Sequence, residues 1–185
     1  MHHLQELWLP ILVTAIAVFV ASSLIHMVFK WHNSDYRKLA NEDEVSAAIR
    51  AGAPAPGLYL LPHCADMKAM LEEPMQKKFR DGPVALLTVK PPGPPAIGGA
   101  LLKWFLLTLV LATVAGLTVR HIYAPGSDSK AAGHLVGLLS FLAYGCGSVQ
   151  NGIWMGKPWA SVAKDLLDAF IYGTISGLVF WQLWP

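Results

Sequence analysis

The residues of this 185-residue chain that could do chemistry lie inside or at the ends of long apolar runs. Asp165 and Asp168 open one run, Lys103 interrupts a second, His26 closes a third together with Ser22 and Ser23, and Gln150 and Asn151 stand near the end of a fourth. An ionisable side chain beside hydrocarbon loses hydration, so it pairs, snorkels back to water, or handles an ion or proton. His26, Lys103, Gln150, Asn151, Asp165 and Asp168 fall at similar depth and form a candidate polar layer. Two chemistries suit it: a Lys103 to Asp168 ion pair tying two helices together, or a polar path for a proton or cation. Depth favours the first. Ala169 to Pro185 is 17 residues, about 26 Å of helix, and Trp104 to Val119 is 16 residues, about 24 Å, both short of a core of roughly 30 Å. Asp168 and Lys103 therefore belong at the border, where a lysine stem can snorkel.

Other constellations are weaker. His63, Cys64 and Asp66 in HCAD have ligand chemistry but no second pair at ligand spacing, which reads as a surface loop rather than a zinc site. His121 and His134 read as interfacial anchors rather than haem or copper ligands. Ser148 shares the depth of His26 but lacks a GxSxG setting and an evident orienting acid. HExxH, Walker and GxGxxG motifs are absent. No catalytic residue, cofactor or metal is expected. Cys64 and Cys146 lie in unlike segments and read as free thiols, and a net charge of +2 without a basic aromatic stripe gives no reason to expect nucleic acid.

The elements that must position the polar layer follow from composition. With 54% hydrophobic and 14% charged residues, a bilayer is the expected solvent. Leu7 to Phe29 runs 23 positions without a charge, about 34 Å of helix, with Pro10 expected in its first turn. The run is longer than a signal-peptide core and follows no Lys or Arg, so it should stay as an anchor. Further spans are expected at about 97–121, 131–154 and 159–184. The expected fold is an integral membrane, mainly α-helical one: a four-transmembrane-helix bundle with a small cytosolic α+β insertion. Its parts are an N-terminal transmembrane helix (1–30), the insertion (31–96) and three transmembrane helices (97–185).

Orientation follows from the basic residues. Lys30, Arg37, Lys38, Arg50, Lys68, Lys77, Lys78, Arg80, Lys90, Lys103, Lys157 and Lys164 fall on one side, leaving Arg120 and Lys130 for the other. Twelve against two places residues 31–96 in the cytosol and both termini outside. Tryptophans prefer headgroup level, and that map puts Trp8, Trp181 and Trp184 at the outer border and Trp31, Trp104, Trp154 and Trp159 at the inner one. Leaving the last span in the cytosol would expose Trp181, Trp184 and an apolar tail to water.

Within the insertion, NEDEV predicts a helix with Asn41 as N-cap, Glu44 completing a capping box and Gly52 as stop. Leu58 to Leu61 and Pro83 to Lys90 predict strands, and Asp66 to Phe79 a helix disturbed by Pro74. About 65 residues bury a modest core, so the unit should lean on the membrane surface or a partner. PPGPP at 91–95 is a stiff return to the bilayer.

Small residues recur four apart at Ala112 and Gly116, Gly133 and Gly137, and Gly173 and Gly177, spacing that lets helix backbones approach closely. They serve packing within one bundle or contact with another chain. The segments SSLIHMVFKWHNSDYRKL, NEDEV, PPGPP and QNGIWMGKPW together resemble an uncharacterised family of small bacterial inner-membrane proteins. The resemblance covers most of the chain and implies a bacterial cytoplasmic membrane, with no catalytic residues attached. The expected function is therefore non-catalytic: helix–helix association in the lipid bilayer, as an accessory subunit of a larger membrane complex or as a homo-oligomer. The alternative is a small oligomeric channel or transporter using the polar layer.

Overall fold

The structure, a computed structural model, describes residues 2–185. It divides into two compact units, Met1–Tyr36 with Ala96–Pro185, and Arg37–Pro95.

The first unit is built from four helices long and apolar enough to cross a membrane. Helix α1 (His2–Ser23) continues into a π-helical turn, Leu24–Phe29. It begins before the first apolar residue of the long run, so Pro10 lies inside the helix and not in its first turn. Helix α5 (Ile97–Arg120), α6 (Ser129–Met155) and α7 (Trp159–Leu183) follow the insertion. Asp128 caps α6, its carboxylate accepting from the amides of Lys130 (3.0 Å) and Ala131 (3.1 Å), which satisfies donors that a helix start otherwise leaves bare. Gly156 ends α6 at φ 68°, donating to the Asn151 carbonyl, a left-handed conformation that glycine adopts without a Cβ clash. Pro158 then precedes α7, so Gly156, Lys157 and Pro158 alone connect the two helices.

The four helices form a ring in which α1 packs on α5 and α7, and α6 packs on α5 and α7. One half of the interior is filled by Leu7, Ile11, Ala112, Ala115, Val119, Ala132, Val136 and Phe180. The other half is aromatic, with Tyr172 and Val18 surrounded by Trp31, Trp104 and Tyr144.

The small residues have distinct jobs. Gly133 and Gly137 of α6 face Gly177 and Gly173 of α7: a Cβ on Gly133 would stand 2.6 Å from the Gly177 carbonyl oxygen, and one on Gly173 2.8 Å from that of Gly137. The backbones touch, which dispersion and close carbonyl contacts reward in a membrane. Ala112 and Gly116 lie elsewhere, in the apolar core, where a Cβ on Gly116 would meet the Phe180 ring at 2.7 Å.

The second unit contains α2 (Glu42–Ala51), β1 (Gly57–Leu61), α3 (Met67–Leu71), α4 (Glu73–Asp81) and β2 (Ala85–Val89). The strands pair antiparallel with Leu58 opposite Thr88 and Leu60 opposite Leu86. Asn41 and Gly52 flank α2 as expected, but some details differ. Asn41 makes no side-chain cap hydrogen bond, so the capping box does not form, and Gly52 closes α2 in the right-handed region at φ −74°. Pro74 does not disturb one helix but starts a second, because a proline at the first turn needs no amide partner. Asp66 caps α3, accepting from the amides of Lys68 and Ala69. No residue from 37 to 95 is buried.

Candidate functional site

The polar cluster forms where α1 runs out and α7 begins. The π-helical turn and the residue after it decide its geometry. Lys30 takes φ 54°, uncommon for a residue with a Cβ, and its amide donates to the Ile25 carbonyl at 2.9 Å. That reversal feeds a single 3-10 turn, Trp31–Asp35, which folds back against α7. His32 thereby arrives beside His26, with ring centroids 4.9 Å apart.

Asp168, one helical turn beyond Lys164, is the buried centre, only 6% exposed. Its Oδ1 accepts from the Trp31 indole N–H at 3.1 Å and its Oδ2 meets His32 Nε2 at 2.9 Å. The other nitrogen of that ring, Nδ1, meets Asp35 Oδ2 at 2.8 Å. Each ring nitrogen thus faces a carboxylate oxygen, which fixes the imidazole in orientation on both sides. Asp35 is held in turn by Lys164, whose ammonium donates to Asp35 Oδ1 (2.6 Å), Ser34 Oγ (2.7 Å) and the Trp31 carbonyl (2.8 Å). Carboxylates and nitrogen-bearing side chains thus alternate, which offsets the desolvation that each would suffer alone.

A separate group sits one turn earlier on α7. Asp165 accepts from Ser148 of α6 and from Lys157 of the short connection. Ser148 therefore has an acid neighbour that its sequence context did not reveal, but this acid is already engaged by Lys157, and among the described residues no histidine completes a nucleophile pair. On α5, the Trp104 indole donates to Ser22 Oγ of α1 at 2.7 Å.

Of the expected polar layer, His26 and Asp168 are thus brought to one place and Asp165 to a neighbouring one. Lys103, Gln150 and Asn151 are exposed, and the Asp168 carboxylate is taken by Trp31 and His32 rather than by Lys103. The sequence reading missed His32, Trp31, Asp35 and Lys164. A signal was present: His32 and Asp35 stand three apart, as do His32's neighbours Trp31 and Ser34, spacing that puts partners on one face of a tight turn.

Asp35 carries the clearest electrostatic signature. Lys164 donating to it, assisted by His32 and Ser161 against the effect of burial, lowers its carboxyl from the ordinary 3.8 to about 2. A depressed folded value stabilises fully above the unfolded value, and that contribution is lost as pH falls through about 2. Acid titration of the detergent-solubilised protein should show a change in Trp31 emission between about pH 4 and pH 2 that Asp35→Asn abolishes. A step that survives in Asp35→Asn would assign it to another carboxylate.

What the geometry defines is a mostly helical protein with four helices fit to span a membrane, a small two-stranded sheet and a charged cluster at one end of the bundle. Comparison with protein-family models, curated proteins and solved structures gives no match to this chain.

Proposed function

We propose that the protein is a non-catalytic multi-pass membrane subunit that acts by association, either as an accessory component of a larger complex or as a homo-oligomer. The observation that carries this reading is the unfinished second unit. Leu58 and Leu60 of β1 share a face with Leu86 of β2, and they are 72%, 57% and 41% exposed. Met67, Leu71 and Val84 are exposed in the same unit. An apolar face on a two-stranded ribbon with no buried core is stable only when something covers it. The strand edges are also open for pairing.

The glycines of α6 and α7 meet each other within the chain, which leaves the second unit's apolar face as a surface for a partner. A channel or transporter finds less support: the half of the bundle packed around Leu7, Ile11, Val119, Val136 and Phe180 is apolar, and a polar route through one chain stops there. The distribution of lysine and arginine supports a cytosolic second unit with both termini outside.

Purified in mild detergent, the wild-type chain should have a protein mass above that of one 20.1 kDa chain. The double variant Leu58→Lys, Leu60→Lys should dissociate while keeping its helix content. A wild-type particle that is strictly monomeric and free of partners would overturn the reading.

A further inference from the structure

We propose that His26, His32 and Asp168 form a binding site for one divalent transition-metal ion, of which Zn2+ and Co2+ are the natural probes. One ligand atom from each residue lies within 4.8 Å of the others, and His32 Nε2 and Asp168 Oδ2 are 2.9 Å apart. Donors around a tetrahedral ion at about 2.0–2.2 Å are separated by about 3.4 Å. Closing on an ion therefore takes a small inward movement of His26 and a small parting of His32 from Asp168.

Two imidazoles and one carboxylate make a donor set that suits first-row transition ions and leaves positions open for water or a partner's side chain. The supporting contacts are those that metal-binding histidines use. Asp35 holds His32 Nδ1 at 2.8 Å, which aims Nε2 at the site, and the Trp31 indole fixes the second Asp168 oxygen at 3.1 Å. Lys164 anchors Asp35 in turn. The backbone is committed to the same end, since the π-helical turn that carries His26 and the left-handed Lys30 are what bring two histidines six residues apart to one point. Imidazole binds a metal through a free lone pair, so the proton between His32 Nε2 and Asp168 leaves as the ion arrives, and binding weakens in acid. The ion joins the end of α1 to α7 and replaces a hydrogen bond by coordination. His26 is exposed, which gives the ion a way in.

The test uses the full chain in detergent, stripped with a chelator and titrated with Zn2+ alone by calorimetry and Co2+ alone by visible absorption. One ion per chain is expected, with intense Co2+ bands of a four- or five-coordinate site. His26→Gln and His32→Gln should each weaken binding by about 100-fold or more. Asp35→Asn, a positioning change, should weaken it by about 10-fold to 100-fold. His26 is exposed, so His26→Gln should keep the wild-type gel-filtration profile and helix content and remain informative if the Asp168 variants fail to fold. Absence of binding to the wild-type chain would overturn the proposal. So would unchanged affinity in His26→Gln, since the ion would then belong to other histidines or to the Cys64 loop.

Discussion

Gly133→Val is expected to destabilise the bundle by about 3 kcal/mol or more, enough to shift its unfolding transition in mixed micelles strongly. The first added carbon would stand 2.6 Å from the Gly177 carbonyl oxygen, 2.7 Å from Trp181 Cβ and 2.9 Å from the Trp181 amide. Two of these neighbours are backbone, which cannot swing aside like the tip of a side chain. Relief requires α6 and α7 to separate, and separation loosens the whole glycine seam at once because Gly137 and Gly173 depend on the same distance. Gly147 provides the control on the same helix. It has open space around its Cβ position, so Gly147→Val should move the transition little. Equal effects from the two substitutions would show that helix propensity, and not contact with α7, sets the response.

Asp168→Ala comes second, at about 2–4 kcal/mol. Removing the carboxylate leaves the Trp31 indole N–H and one His32 nitrogen without their acceptor in a mostly buried setting. Losing one partner of a buried pair costs more than losing both, so His32→Gln combined with Asp168→Ala should cost less than the sum of the single changes. The double-mutant cycle should give a coupling of about 1–3 kcal/mol. Unfolding titrations followed by tryptophan emission measure all three variants. Additivity within about 0.5 kcal/mol would mean that the two side chains do not act as a unit.

Why some of this was legible in the sequence and some was not has a physical reason in each case. The spans are legible because a bilayer demands a length of uncharged residues, and that demand is local in sequence: the second was expected at about 97–121 and α5 runs Ile97–Arg120. The glycine spacing is legible for the same reason, although which helix each glycine would meet is not. Gly133 and Gly177 are partners across a seam, while Gly116 meets an aromatic ring, and nothing in a four-residue spacing separates those outcomes.

The polar cluster resisted because its contacts between the two segments span 129 to 137 positions and depend on the direction in which the chain leaves α1. His26 and Asp168 stood out as polar residues in apolar surroundings. His32, Asp35 and Lys164 looked like ordinary soluble residues, and only the left-handed turn at Lys30 brings the first two under α7. Lys103 was the natural partner for Asp168 on depth alone, but its exposed position on α5 keeps it in contact with the surroundings. In the second unit, Asn41 had the right neighbours for a capping box, and its backbone at φ −113°, ψ 44° departs from the extended conformation typical of an N-cap.

The bundle interior is apolar around Leu7 and Phe180 and aromatic around Tyr172, and ion pairs close it at both ends, Arg120 with Glu6 at one and Lys164 with Asp35 at the other. Salt screens both pairs, so high ionic strength loosens the two ends together and not one alone. The packed interior between those pairs answers to detergent and not to ions, so the rivets at the rims can slip while the barrel of side chains stays shut.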